Sequence, residues 1–383
     1  VFQRAQDQRS RPAVRERERL EEDDPMIRER APAPAVVAVR RALTRNRVDQ
    51  ETVLSALGKL WSGREVPPER LEHLLHAVGV KTRHLALPVG DYAALDSFPR
   101  RNEAWVSVAL ELGEEAIRRA LDAADLGPRD VDHIFFTTVT GIAVPSICAR
   151  LANRLGFRSD VKRTPLFGLG CVAGAAGTAR AADFLRAFPD EIAILLSVEL
   201  CSLTLQRDDR SVANLIASGL FGDGAAALVL AGGDRTGRAG PRVVASRSIL
   251  YPDTEDVMGW EIVEGGFKLI LSGRVPDMAR DHVARDVDSF LASLELDRSA
   301  IRHWICHTGG PKVLVALEEA LTLPPGALAR SWRALEETGN LSSASVLLVL
   351  EDLLASGEAR PGDRGVMMAM GPGFCCELVL LEW

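Results

Sequence analysis

Three short stretches of this 383-residue chain carry side chains that together suit acyl chemistry. The first is Gly170-Cys171-Val-Ala-Gly-Ala-Ala-Gly, in which a cysteine opens a run of small residues that reads as the start of a helix over 171–188. Unpaired amides and the positive end of the helix dipole at such a position predict a thiol titrating below its ordinary value near about 8.5. The second stretch is His307-Thr-Gly-Gly-Pro, which follows the apolar strand His303-Trp-Ile-Cys. His307 therefore projects from a strand end into a tight turn, the place where ligands gather in α/β folds. The third is Gly339-Asn340-Leu-Ser-Ser-Ala-Ser, with Asn340 at the predicted start of a helix over 340–355. Singly, each residue has an ordinary role open to it: a small buried hydrophobe, a structural histidine, an N-cap. Together, a thiolate, an imidazole and an amide donor serve acyl transfer, the sulfur taking the acyl group while His Nε2 and Asn Nδ2 hold negative charge on a carbonyl oxygen.

An internal repeat is what would bring the three together. Val131-Asp-His-Ile-Phe-Phe-Thr-Thr-Val-Thr-Gly and Ile301-Arg-His-Trp-Ile-Cys-His-Thr-Gly-Gly each read as a strand, a Thr-Gly turn and then a helix. Cys171 follows Thr140 by 31 residues and Asn340 follows Thr308 by 32. Each of the two later helices leads to an apolar strand, 192–200 or 365–370, and then to a Gly-rich strand beginning at Gly222 or Gly371. The first copy carries extra residues near 203–221. A duplicated α/β unit packed about a pseudo-two-fold axis aims matching helix starts at one centre.

The remaining composition bounds the class. Forty-six basic against 53 acidic residues give a formal charge of −7, which argues against a polyanion partner because phosphate neutralisation needs a basic face. Nucleic acid is therefore not an expected ligand. Apolar runs such as 191–200 fall well short of a membrane span, and no signal-peptide core stands at the N-terminus, so a cytoplasmic protein is expected. Six cysteines without a CxxC pair do not make a disulfide scaffold, and Cys148, Cys306, Cys375 and Cys376 read as small packing residues. Residues 1–24 hold six arginines and seven acids, which predicts a mobile charged arm, followed by a linker to residue 34. Two fused halves, 35–235 with the cysteine and 236–383 with the histidine and asparagine, are the expected organisation.

Four ordered motifs then carry a resemblance: Pro165-Leu-Phe-Gly-Leu-Gly-Cys171-Val-Ala-Gly, Gly219-Leu-Phe-Gly-Asp-Gly-Ala-Ala-Ala, His307-Thr-Gly-Gly-Pro and Gly339-Asn340-Leu-Ser-Ser-Ala-Ser. From about residue 35 to its end the chain resembles the type III polyketide synthases of the chalcone synthase superfamily. Ser197-Val-Glu-Leu-Cys-Ser and Met368-Ala-Met-Gly-Pro-Gly-Phe-Cys are most similar to the bacterial alkylresorcinol and alkylpyrone synthases. The resemblance implies a thiolase fold with five αβαβα layers, and an acyltransferase that condenses an acyl-CoA starter, fatty acyl in this branch, with malonyl-CoA. It implies that Cys171 carries the growing chain while His307 and Asn340 stabilise the enolate left by decarboxylation. Phe221 and Phe267 would gate the passage between a CoA tunnel and the product cavity. Thr204 and Cys201 would shape that cavity, Met370 would stand where relatives place an aromatic, and Val144 would reach into the cavity of a second copy, so a homodimer is implied. Arg70 and Lys312 are the candidates for CoA phosphates. No metal and no resident cofactor are implied, because CoA thioesters are substrates. Two alternatives share the same three residues: a ketoacyl synthase III-like enzyme that condenses once on acyl carrier protein, and a non-catalytic thiolase-fold dimer partner.

Overall fold

The computed structural model describes residues 32–61, 67–235 and 240–383; the predicted arm 1–24 and the junction at 236–239 lie outside the described residues. Strands β1 (Ala35–Ala42), β4 (His133–Thr138), β5 (Lys162–Phe167), β6 (Ile192–Leu200) and β7 (Asp223–Ala231) lie side by side in the order β1-β7-β6-β4-β5. From the second half of the chain, β8 (Arg242–Leu250), β11 (His303–Cys306), β12 (Arg364–Gly371) and β13 (Cys375–Glu382) lie in the order β8-β13-β12-β11. The two sets touch through one residue pair, Ala35 and Arg242. Their pairings match: β4–β6 and β11–β12 are parallel, while β6–β7 and β12–β13 are antiparallel. This is the repeat seen as topology, except that β5 has no counterpart in the second set.

Side-chain alternation explains the layering. Along β6, Ala193 and Leu195 enter one core cluster while Ile192, Ile194, Leu196 and Val198 enter another. Along β12, Met367 and Ala369 enter the first cluster, and Val366, Met368 and Met370 a third. Strands buried on both faces must be apolar throughout, as these are. The shared cluster is a middle layer made by helices α5 (Ala173–Ala187) and α10 (Ser345–Ser356), which pack on strands of both sheets. Helices α3 (Phe98–Ala123) and α4 (Ile147–Leu155) cover the outer face of the first sheet. Helices α7 (Val275–Ala292) and α8 (Pro311–Leu321) cover that of the second. The five αβαβα layers are thus present.

Smaller elements fill in around the site: helices α1 (Gln50–Leu60), α2 (Pro68–Ala77), α6 (Val212–Leu220) and α9 (Ala329–Thr338), and the strand pairs β2–β3 (Asn46–Asp49, Thr82–Leu85) and β9–β10 (Met258–Val263, Gly266–Leu271). The extra residues of the first copy form a short turn, Cys201–Thr204, and α6.

Candidate active site

Cys171 lies in a single 3-10 turn, Gly170–Val172, that leads into α5. Gly170 has φ +56, and a Cβ there would sit 2.6 Å from the Pro372 ring, so the Gly371-Pro372-Gly373 loop clasps the Cys171 turn only because residue 170 has no side chain. Gly174 acts in the same way on the other side, since its Cβ would fall 2.2 Å from the Ser343 carbonyl oxygen. The small residues after Cys171 therefore let α5 and the start of α10 touch.

Asn340 stands just before that start. The structure departs here from the predicted helix over 340–355: Asn340 is extended and pairs in parallel with Phe221, and a 3-10 turn, Ser342–Ala344, intervenes before α10. The Asn340 amide donates to the Leu220 carbonyl at 2.9 Å, and the Gly222 amide donates to the Asn340 carbonyl at 3.0 Å. Its side-chain Oδ1 accepts from the Ser342 amide at 2.7 Å, which leaves the Nδ2 end for the chamber shared with Cys171. His307 follows β11, its amide bonded to the Met368 carbonyl at 2.9 Å. Its imidazole is buried with no hydrogen-bond partner at either nitrogen, and burial pushes its pKa down to about 4, so the ring is neutral.

Cys171, His307 and Asn340 line one chamber of about 30 Å³, together with Phe221 and Met370. Residues from both halves of the chain thus meet, as the repeat requires. The thiol differs from expectation. Burial, with the Glu199 charge adding to it, pushes Cys171 up to about 12, and hydrogen bonds to Ser342 and Asn340 only partly offset this. Sγ donates to Ser342 Oγ at 3.6 Å. The helix-end effect is outweighed because the turn is sealed from water. The resting site therefore holds a neutral thiol beside a neutral imidazole.

Glu199 is a buried carboxyl beside this site that motif reading passed over. It is fully buried on the face of β6 that looks toward the middle layer, and burial pushes its carboxyl up to about 7. It accepts hydrogen bonds from Ser343 Oγ at 2.5 Å, Thr140 Oγ1 at 2.9 Å and the Val139 amide at 3.1 Å. A carboxylate inside an otherwise apolar strand was the available signal, since Glu is rarely buried without a purpose.

Beyond the chamber lies a cavity of about 960 Å³, lined by mixed polar and apolar side chains of α1, α6 and neighbouring loops, among them Val53, Leu57, Leu60, Leu205 and Trp260. Phe221 lines both this cavity and the chamber that holds Cys171, and also a small void of about 40 Å³ that shares lining residues with each. Phe267 does not. It is buried in an aromatic cluster with Phe98, Phe167 and Trp260. Leu269, paired across the β9–β10 ladder with Trp260, lines the large cavity and the intervening void, as Trp260 does. Residues 267 and 269 share a strand face, but two residues span roughly 6.6 Å, enough to carry Phe267 past the opening. Cys201 lines both spaces, Thr204 lines the large cavity with its hydroxyl bonded to the Cys201 carbonyl at 2.8 Å, and Met370 walls the catalytic chamber.

Arg70 and Lys312 are exposed and line none of these spaces. They stand on α2 and α8, whose neighbouring ends approach where a Cβ on Gly79 would lie 3.2 Å from the Pro311 ring. The cations that line the large cavity are instead Lys59, Arg83 and Arg207. Val144 is 89% exposed and outside the cavities of its own chain. Among the described residues no helix is long and apolar enough to cross a membrane, and no group of three or more His, Cys, Asp or Glu is placed to hold a metal ion.

Residues 23–234 match the model of the N-terminal domain of chalcone and stilbene synthases, and residues 242–382 match that of the C-terminal domain. The chain belongs to the chalcone and stilbene synthase family. This synthase is 52% identical over 351 residues to 1,3,6,8-tetrahydroxynaphthalene synthase of Streptomyces peucetius subsp. caesius, covering 91% of this chain and 93% of that protein. It is 32% identical over 361 residues to 3,5-dihydroxyphenylacetyl-CoA synthase of Streptomyces toyocaensis, covering 92% and 90% of the two chains. Among solved structures, the 1,3,6,8-tetrahydroxynaphthalene synthase of Streptomyces coelicolor A3(2), a bacterial type III polyketide synthase, superposes with a TM-score of 0.86 at 33% identity over 91% of this chain and 99% of that one. The synthase thus has the thiolase fold and is a type III polyketide synthase, an acyltransferase.

Proposed function

We propose that the enzyme builds a poly-β-ketone on Cys171 by iterative decarboxylative condensation of malonyl-CoA and then cyclises it. The supporting observation is the single chamber in which Cys171 meets two neutral hydrogen-bond donors from the other half of the chain, His307 and Asn340. In loading, the Cys171 thiol gives up its proton, with the unpartnered His307 ring as acceptor. Sulfur attacks the acyl-CoA carbonyl, the C–S bond to CoA breaks, and CoA leaves as the thiol. In extension, malonyl-CoA loses carbon dioxide, and the electron pair of the broken C–C bond becomes an enolate whose oxygen is held by His307 and Asn340. The enolate carbon attacks the Cys171 thioester, forming a C–C bond and returning sulfur as the leaving group. Neutral donors serve this step well, because they bind the developing charge without pairing permanently with the malonyl carboxylate. Loss of carbon dioxide drives it, so no metal or resident cofactor is required of the protein. Arg70, exposed in the first turn of α2, and Lys312, exposed in the first turn of α8, are the proposed contacts for CoA phosphates. Val144, with Ile142 46% and Phe167 55% exposed, forms an apolar surface proposed to meet a second copy.

For starter and product, likeness to a tetrahydroxynaphthalene synthase across 91% of the chain favours malonyl-CoA as both starter and extender. Its C10 product, oxygenated at alternate carbons, corresponds to five two-carbon units. A second reading, a fatty acyl starter closed to an alkylpyrone or alkylresorcinol, is supported by the large cavity beyond Phe221 and its apolar lining residues. One experiment separates them: enzyme with malonyl-CoA alone, and with a series of acyl-CoAs, followed by mass spectrometry. A C10 tetrahydroxynaphthalene from malonyl-CoA alone supports the first reading, and products that appear only with long acyl-CoAs support the second. A single-extension β-ketoacyl product with no ring overturns both.

A further inference from the structure

Arg83, on β3, is 1% exposed and has no part in the chemistry derived above. Its guanidinium is spent almost entirely on the C-terminal end of α6. Nη1 donates to the Phe221 carbonyl at 2.7 Å and the Ser218 carbonyl at 3.0 Å, and Nη2 donates to the Gly219 carbonyl and to Gln50 Oε1. These are the last carbonyls of a helix, which have no partners within it and carry its negative dipole end. The residue that caps this helix is Phe221, at the passage. Burial lowers Arg83 to about 10, with Asp223 acting against the shift, so the group is still a cation at neutral pH.

The same short strand grips a second helix end. The Lys81 amide donates to the Glu336 carbonyl at 2.8 Å, and Thr82 Oγ1 donates to the Glu337 carbonyl at 2.7 Å, both in the last turn of α9. The chain leaves α9 through Gly339 directly into Asn340. The two captured ends are then joined by the Phe221–Asn340 bridge. Contact there is close enough that a Cβ on Gly222 would lie 2.2 Å from the Thr338 carbonyl oxygen, and one on Gly339 would lie 2.7 Å from the Leu220 carbonyl oxygen.

We infer that Arg83 is a positioning residue for decarboxylation: by holding the end of α6, with β3 holding the end of α9, it sets where the Phe221–Asn340 pair lies relative to Cys171 and His307. The inference rests on the proposed role of Asn340 in binding the enolate. Arg83 touches no reacting atom in this account and acts through the backbone that carries Asn340.

The test uses the full-length enzyme and three readouts: carbon dioxide release from malonyl-CoA, alkylation of Cys171 by iodoacetamide, and thermal melting. In Arg83→Gln, kcat for carbon dioxide release is expected to fall by about tenfold or more, since small misplacements of a catalytic group cost that much. KM and the alkylation rate should stay within about twofold, because contacts that bind substrate equally in ground and transition state are untouched. Arg83→Lys, which keeps the charge and part of the carbonyl contacts, should recover part of the loss. Unchanged decarboxylation in folded Arg83→Gln overturns the inference, as does a uniform collapse of kcat, KM and alkylation together, the mark of a merely structural residue. If Arg83→Gln does not fold, Thr82→Val decides, since it removes the α9 contact and, besides it, only an exposed hydrogen bond accepted from Arg47 at 3.1 Å: slower carbon dioxide release at an unchanged alkylation rate supports the inference, and no change overturns it. Asn340→Ala in parallel tests the underlying reading. If that variant decarboxylates like the parent, the role given to Asn340 is wrong, whatever Arg83 does.

Discussion

The two halves of the chain share a plan and diverge in what they contribute. Each sends a 3-10 turn into a middle-layer helix at the shared centre, Gly170–Val172 into α5 and Ser342–Ala344 into α10. One turn carries Cys171, the proposed nucleophile. The other is preceded by the amide donor, and the same half supplies the imidazole. The first half adds α6 and the turn Cys201–Thr204, which wall the large cavity, and it has the extra strand β5. In the second half α8 runs into α9 without a strand, leaving β11 at the edge beside a cleft of about 620 Å³ that Arg298, Arg302 and Arg330 help to line. The shared plan thus supplies the scaffold and the meeting point, and the elements found in the first half alone wall the large cavity.

That division is broken most severely at the centre. Cys171→Ala should abolish product from malonyl-CoA with or without an acyl-CoA, measured by mass spectrometry, and His307→Ala should cost about 10²–10³ in kcat, as loss of an oxyanion donor does. If each half were a separate site, one of these variants would retain substantial turnover. Next comes the contact between the middle helices. Gly174→Ala forces a methyl toward the Ser343 carbonyl and should destabilise the fold by about 1–3 kcal/mol, the usual cost of overpacking, measured by denaturant unfolding. Gly58→Ala, in α1 with open space around it, should instead be stabilising by about 0.5–1 kcal/mol.

A smaller effect should come at the passage. Trp260→Ala should merge the intervening void with the large cavity and shift the product mixture toward longer chains, whereas Phe267→Ala should lower stability with little change in product pattern. An equal shift in both would restore Phe267 to the gate. The smallest concerns charge. Glu199 raises the Cys171 pKa, so Glu199→Gln should speed iodoacetamide alkylation at pH 8 by a few-fold. Because Glu199 itself sits at about 7, the difference from the parent should shrink as pH falls through that value and the native carboxyl becomes neutral. In Glu199→Gln, alkylation should rise about tenfold per pH unit over pH 7–9, since the thiol stays mostly protonated throughout, and in the parent somewhat less steeply near pH 7, where Glu199 is still ionising. A plateau near pH 8 would contradict the buried, neutral thiol.

Much of this arrangement was legible in the residues. The spacing of the repeat announced matching helices and a common centre, and the small residues after Cys171 announced the close approach. Other features depend on quantities that spacing does not carry. The thiol's pKa turns on how completely the turn is sealed, which outweighs the helix end. Asn340 reads as an N-cap, yet tertiary pairing with Phe221 keeps it extended and delays the helix. Phe267 is a gate residue that the resemblance implies, but its position along a strand relative to the opening decides whether it can act there. Glu199 was visible as a charge within an apolar strand, and its meaning emerged only when alternation placed it on the face toward α10.

The middle layer has a further consequence, for folding. Helix α5 buries itself against β12 and β13 as well as β4 and β6, and α10 against β1 and β7 as well as β11 and β12. Neither half owns a complete core, since the cluster they share includes Leu185 and Leu195 from one half and Leu347 and Met367 from the other. The junction near residues 236–239 therefore divides the chain without dividing its stability. The halves of this duplication have become mutually obligate, so the enzyme should melt in one transition, and residues 35–235 expressed alone should expose the apolar face of α5 and aggregate.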